Sequence, residues 1–308
     1  MKDIRFSIVI PAYNASQTIG TTLDCVKAQS YRNFEVIIVD DKSDDAAALA
    51  ELVNSERYRD LGIRLVLSQE KLNGAGARNK GIELASGDFI SFLDADDEWH
   101  ADKLKESAEK IAGLEAQGAE NYIIFSQVNI WQDGSFLKVM PMQPPGANET
   151  IAEYLFGCYG FMQTSTLVLR REDALKIKFD TRYRRHQDYD FCIRADRMGY
   201  RFVMIARPLA NYHLVTNFGS KHKGESVSYS FFWLDAMKPW LTARDIHTYK
   251  AYKLPLRYKM DGKSLQASLS FARYFFLTNK ENQAYFVNRL KDKVRERFSG
   301  KKLSPEQE

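Results

Sequence analysis

Through residues 1–126, short apolar runs alternate with stretches of helical periodicity. FSIVI (6–10), FEVIIV (34–39), IRLVL (63–67), DFISFL (88–93) and YIIFS (122–126) are rich in β-branched and aromatic residues and read as strands. Their near-continuous apolar character predicts burial on both faces, as in a parallel sheet covered by helices. Between the first two, Ser16 is placed to cap a helix whose Ile19, Leu23 and Val26 share one face, and DDAAALAELVNS is rich in strong helix formers. Strand and helix in alternation predict a doubly wound, mostly parallel α/β sheet.

After residue 126 the pattern changes. VNIW and SFLKV flank QDG like the arms of a hairpin, and MQPPGANET (142–150) has the composition of a loop. TSTLVL (164–169) and RFVMI (201–205) read as strands bracketing a helix near 187–198, which Gly199 terminates. Beyond about residue 226 the chain is helical and aromatic, with no internal repeat. The expected organisation is a domain over 1–225, made of an alternating half (1–126) and a mixed half (127–225), followed by a helical extension over 226–308.

Composition narrows the class. With 308 residues, 44% of them hydrophobic and 27% charged, the chain can bury a sizeable core. No apolar run approaches the roughly 18 residues of a membrane span, and MKDIRFSIVIPAYN lacks a signal peptide's apolar region, so a cytoplasmic location is expected. Cys25, Cys158 and Cys192 are widely spaced and follow no metal-site pattern, which predicts reduced thiols. The net charge is only +4, yet residues 249–308 hold 14 Lys/Arg against 6 Asp/Glu. Within AYFVNRLKDKVRERF (284–298), Phe286, Leu290, Val294 and Phe298 form one helical stripe among Arg289, Lys291, Lys293, Arg295 and Arg297. Such a basic amphipathic helix either docks on the core or lies on an anionic membrane as a peripheral contact. No nucleic-acid-binding motif accompanies the charge, so no nucleic-acid partner is expected.

The candidate chemistry gathers where the strands of the first half end: PAYNAS, DDKSDD, NGAGARNKG and DADDEW. In open α/β sheets ligands bind beyond the carboxyl ends of the strands. Asp94, Asp96 and Asp97 would repel one another there, and Mg²⁺ or Mn²⁺ with a phosphorylated ligand compensates such a cluster. A polar loop capping the next helix is the bland alternative.

SIVIPAYNA, FEVIIVDDKS, ARNKGIELASGDFISFLDADD and Trp99 have the order and spacing of the inverting, nucleotide-sugar-dependent glycosyltransferases of family two, whose fold is called GT-A, and QDYDFCIR (187–194) is similar to that family's acidic helix start. The resemblance makes 1–126 the nucleotide-sugar-binding half and 127–225 the acceptor half. It implies that Asp96 holds the metal, Asp94 lies beside it toward the ribose, Asp41 accepts the N3–H of the base, and the backbone of Pro11, Ala12 and Tyr13 frames that base. For Asp40 and Asp41 the alternative is a helix-capping turn. Arg78 is placed either near the diphosphate or as an exposed helical arginine.

The acceptor hydroxyl needs a base, and Asp188 is the candidate. Asp190 lies roughly 200° further around the helix and four residues before Arg194, which suggests a structural ion pair. Gln187 stands where the family usually has Glu, a departure that bears on how the acceptor is held. NYHLVTNFGSKHKG matches the family poorly; His213 is a candidate for metal or diphosphate contact or a structural strand-end histidine, with Lys221 or His222 closing over the site. Trp99 either packs beneath the acidic loop or stacks on an acceptor sugar.

Three other readings compete with this one. NGAGARNKGIEL imitates a dinucleotide fingerprint, but Asn79 fills the third glycine position. A sugar nucleotidyltransferase requires a Gly-rich loop after the first strand, where this chain has PAYNAS. A non-catalytic nucleotide-sugar-binding subunit is expected to have lost Asp96 or the base. The reading that remains is metal-dependent, inverting transfer from a UDP-sugar to a hydroxyl of a growing surface glycan or glycolipid, such as lipopolysaccharide, capsule or a lipid-linked oligosaccharide.

Overall fold

A computed structural model describes residues 3–214 and 226–299. Strands β1 (Phe6–Ala12), β2 (Phe34–Asp40), β3 (Arg64–Leu67) and β4 (Phe89–Phe92) run parallel in the order β3-β2-β1-β4. Their unbroken apolar runs have a direct explanation, because successive side chains enter two different cores. Val9, Ile37, Val39, Ile90 and Phe92 face one core, whereas Phe6, Ile8, Ile10, Val36 and Ile38 face the other.

Helix α1 (Ile19–Lys27) buries Ile19, Leu23 and Val26 as its periodicity requires, but Ser16 is not its cap. The helix starts after Thr18, and the Ser16 N–H instead donates to the Asp45 carboxylate at 2.8 Å, just ahead of α2 (Ala46–Val53). Helix α3 (Asn73–Leu84) follows β3 and lies against β1 and β2.

The second half extends the same sheet with mixed strand directions. β8 (Val168–Arg170) runs antiparallel to β4 and to β6 (Tyr122–Gln132), and β9 (Arg201–Leu214) runs parallel to β6. Three expectations change here. YIIFS and VNIW are one strand, turning at Asp133-Gly134 into β7 (Ser135–Met140). Only the end of TSTLVL is strand, since Thr164–Thr166 form a buried 3₁₀ turn. RFVMI opens a strand of 14 residues, whose far part pairs with β5 (Glu98–Trp99) through Glu98↔Asn211. Its last residues also pair along β6, through Ile130↔Tyr212 and Trp131↔His213, and together the two neighbours bring the end of β9 beside Glu98.

Helices α4 (Lys103–Ala116), α5 (Ile151–Phe156) and α6 (Arg171–Ile177) cover the sheet, and α7 (Gln187–Arg197) ends near Gly199, whose φ of +89° suits glycine. The C-terminal helices are α8 (Val227–Met237), α9 (Ala243–Tyr252), α10 (Leu254–Met260), α11 (Ser264–Phe275) and α12 (Lys280–Ser299). Trp233, Met237, Tyr249 and Leu254 join the core that contains Phe156 and Phe191. Arg197 and Asp245 add an ion pair at 2.7 Å.

The first turns of α12 dock: buried Asn282 accepts the Cys158 N–H at 3.1 Å, and the Phe286 ring lies 4.8 Å from that of Phe271. Leu290 remains 53% exposed, while the side chains of Lys293, Val294, Arg295, Arg297 and Phe298 fall outside the described residues. Among the described residues no helix is long and apolar enough to cross a membrane, and none of the three cysteines is in a disulfide.

Candidate active site

A cleft of about 390 Å³ opens at the carboxyl ends of β1, β2 and β4, lined by Pro11, Ala12, Tyr13, Asp41, Gly74, Arg78, Asp94 and Asp96. The donor-side candidates therefore meet in one place. Asp41 sits at the end of β2, where its Oδ1 accepts the N–H groups of Leu72 (2.5 Å) and Asn73 (2.9 Å), and Lys71 Nζ lies 3.0 Å from Oδ2. It thus holds the turn that opens α3 while forming part of the cleft wall.

Arg78 is buried rather than exposed on its helix. Its guanidinium donates to Asp94 Oδ1 at 2.5 Å and to Gln187 Oε1 at 2.8 Å, connecting the acidic loop to the start of α7. A glycine at position 74 leaves room for this span, since a Cβ there would stand 3.1 Å from both Arg78 Nη1 and Gln187 Oε1 and press on the bridge.

The three acids of the loop have separate surroundings. Asp97 is buried and accepts hydrogen bonds from Ser165 Oγ at 2.6 Å and from the Gln163 amide, and its carboxyl is pushed well above the usual range by burial, then by the charges of Asp94 and Asp96. Ser165 also ties down its neighbours: its Oγ accepts the Asp94 N–H at 2.9 Å, and its carbonyl accepts the indole N–H of Trp99 at 2.8 Å. Trp99 is accordingly buried beneath the loop, with no face open for a sugar. Asp96 is exposed and borders the cleft.

Among the described residues, no three His, Cys, Asp or Glu side chains form an all-protein metal cage. The donor set at the cleft fits a different kind of site. A hard divalent ion is commonly held by one or two carboxylates with phosphate oxygens of the substrate completing its shell. Exposed Asp96, with Asp94 nearby, offers that chemistry, and a cation there would offset the negative field that already bears on Asp97.

Asp188 comes from the opposite half, in the first turn of α7. Burial raises its carboxyl to about 6, with the charge of Asp94 adding to the effect, while the Tyr189 N–H at 2.9 Å and the Arg78 charge act the other way. Asp190 points into the protein, where Arg194 grips both its oxygens at 2.8 and 2.6 Å. The start of α7 is braced by the C-terminal helices: His186 stacks on Tyr189 at 5.3 Å and meets the Trp233 ring edge-on at 5.0 Å. Burial lowers this imidazole to about 3, so it is neutral at physiological pH.

His213 lies at the end of β9 with Nε2 3.3 Å from Glu98 Oε1 and its ring stacked on Trp131. Lys221 and His222 fall outside the described residues. Sequence reasoning overlooked Gln163, Ser165 and Tyr212. The phenol of Tyr212 is raised by burial and by the charges of Asp97, Asp188, Asp96 and Asp94, so it feels the acids of both halves. A signal existed for the first two, since the polar run QTST (163–166) interrupts the apolar pattern just before Leu167 and the strand VLR.

The site therefore has a carboxylate-lined cleft suited to a cation on one side and a buried carboxyl raised to about 6 on the other. The family description "Glycosyl transferase family 2" matches residues 7–176. The amylovoran biosynthesis glycosyltransferase AmsB of Erwinia amylovora is 72% identical over 98% of this chain and 100% of its own. In shape, the chain is similar to S. aureus TarS in complex with UDP-GlcNAc (TM-score 0.63, 17% identity, 91% of this chain and 83% of that one). It is also similar to the mannosyltransferase PcManGT of Pyrobaculum calidifontis in complex with GDP-Man and Mn²⁺ (TM-score 0.60, 18% identity, 93% and 79%). A GT-A fold, the family match and a near-full-length relative agree: the chain belongs to glycosyl transferase family 2 and is an inverting glycosyltransferase.

Proposed function

We propose that the protein transfers a sugar from a UDP-sugar to a hydroxyl of a growing surface glycan carried on a lipid, using Mg²⁺ or Mn²⁺ at Asp96. The observation that carries this reading is the Arg78 bridge, which connects Asp94 of the donor cleft to Gln187, the neighbour of Asp188. Pro11, Ala12, Tyr13 and Asp41 hold the nucleotide, and Asp94 faces the ribose. Arg78, already engaged by Asp94 and Gln187, positions both rather than serving as a mobile phosphate clamp. A bound divalent ion supplies Lewis-acid stabilisation of the leaving diphosphate. Asp188 takes the proton of the acceptor hydroxyl as its oxygen attacks the anomeric carbon from the face opposite the diphosphate, which inverts the configuration.

A raised carboxyl suits this task, because a base with a pKa near the working pH combines the ionised state with useful basicity. The acceptor class is supported by the basic C-terminal segment and by a relative named for amylovoran biosynthesis. UDP is supported by the UDP-GlcNAc complex of TarS, and the metal by the Mn²⁺ complex of PcManGT. Location at the cytoplasmic face of a membrane belongs to the same proposal. A thermal-shift screen of nucleotide sugars with and without Mn²⁺ tests it: a UDP-sugar at about 100 times its dissociation constant is expected to stabilise by roughly 2.7 kcal/mol, and only with metal. Equal shifts with EDTA, or none with any nucleotide sugar, would defeat the reading.

A further inference from the structure

A second cavity, of about 670 Å³, lies among α9, α10, α11 and α12 and has no role in donor binding. Its size is that of a small-molecule site. Pro255, Leu256, Phe271, Phe286 and Leu290 make one part apolar, while Lys253, Lys259 and Arg289 supply three cations and no carboxylate lines it. A cavity of this composition is complementary to an amphiphile with an anionic head.

Its position is as informative as its lining. Lys253 Nζ lies 5.9 Å from the Tyr189 ring, one residue from Asp188, and the charge of Asp188 reaches this ammonium. Burial and the nearby Arg257 charge lower the Lys253 ammonium to about 8, so an anion placed beside it would be bound with little competition from water. Cys158, held by Asn282, forms part of the same wall.

We propose that this cavity binds the prenyl diphosphate of a lipid-linked acceptor, with the diphosphate on Lys253, Arg289 and Lys259 and the first isoprene units along Phe271, Phe286 and Leu290. This rests on the transfer reading above and deepens it. Because the diphosphate then sits beside Tyr189, the attacking hydroxyl belongs to a sugar within one or two residues of the lipid.

Farnesyl diphosphate is the probe, titrated calorimetrically into the full chain with the donor cleft saturated by UDP and Mn²⁺. Binding is expected to persist under UDP, to weaken at least tenfold in Lys253→Gln and Arg289→Gln, and to return within about threefold in Lys253→Arg. Leu290→Gln should weaken farnesyl diphosphate but not inorganic pyrophosphate, which binds at least tenfold more weakly than the prenyl compound. Unchanged affinity in Lys253→Gln, or displacement by UDP, overturns the proposal. Co-sedimentation with phosphatidylglycerol vesicles should be unaffected by Lys253→Gln; a parallel loss would assign these cations to the membrane surface and overturn it too. UDP-sugar binding with Mn²⁺, measured on the unaltered chain and on each variant, reads the transfer reading separately, so failure of the unaltered chain to bind farnesyl diphosphate while it still binds donor rejects the cavity alone.

Discussion

The acids of the proposed donor cleft and the acid of α7 are held in opposite ways. Asp41 is fixed by two backbone N–H groups and Lys71, and Asp94 by Arg78. Asp188 has the backbone N–H of its neighbour and a surrounding that raises its carboxyl to about 6. A group that must hold a ligand in register gains from partners that fix it, whereas a group that must accept a proton loses basicity with every cation and donor that reaches it. Arg78 sits at the meeting point, and its charge lowers the carboxyl of Asp188, the proposed base, while its hydrogen bond holds the neighbouring Gln187.

The largest effect should come from the donor side. Asp96→Asn is expected to abolish metal-dependent donor binding and to reduce transfer by three orders of magnitude or more, with the fold unchanged by circular dichroism. EDTA on the unaltered protein should reproduce it. Substantial transfer in excess EDTA would remove the metal from the donor side and leave the comparison without one of its terms.

On the other side, Asp188→Asn should lower single-turnover transfer by about 10²–10⁴-fold while donor affinity changes little. The pH profile carries the sign. Below about pH 6 the Asp188 carboxyl is protonated and cannot act as base, so the rate should fall tenfold per unit on the acid side. Stability runs the other way: the native state binds this proton more tightly than the unfolded chain, a contribution complete below about pH 4 and lost as the pH rises through about 6. Asp188→Asn should therefore raise Tm by a few degrees at pH 7.5 but not at pH 4, and a lowered Tm at pH 7.5 would show that the carboxylate is stabilised in place.

Asp190→Asn separates structure from chemistry on the same helix. Removing one partner of a buried ion pair leaves the Arg194 charge uncompensated, so a loss of about 3–5 kcal/mol in denaturant unfolding is expected, with donor affinity of the folded fraction retained. Large kinetic loss with normal stability would mean that the two acids have been assigned the wrong way round.

The same contrast governs what the sequence disclosed. The proposed donor cleft was legible because Tyr13, Asp41 and Asp94 lie just past strands whose apolar runs mark their own ends, and because the fold brings the ends of β1, β2 and β4 together by topology alone. The ion pair of Asp190 with Arg194 was legible too, being a matter of helix spacing. Arg78 was named among the cleft candidates, but its bridge was not legible, because its partner Gln187 lies 109 residues away and no local period records such a contact. The partners of Ser165 and Gln163 were out of reach for a related reason: their hydrogen bonds to Asp97 span 68 and 66 residues, and the segment from Thr164 reads as strand but turns as a 3₁₀ helix. The aromatic seat of His186, built by helices from beyond residue 226, was equally out of reach.

Gln187→Glu sharpens the comparison with the smallest change, since it restores the residue type usual in the family at the point where the two halves touch. The new carboxylate would compete with Asp94 for Arg78 and stand beside Asp188. At an effective dielectric of about 20, two like charges some 7 Å apart repel by roughly 2 kcal/mol, and sharing of the Arg78 charge should leave less than half of that. The acid limb of the pH–rate profile is therefore expected to move upward by about half a unit, with donor affinity lowered no more than about threefold. An unmoved limb would mean that Arg78 neutralises the added charge completely, and that the environment of the base is set by burial without help from the bridge.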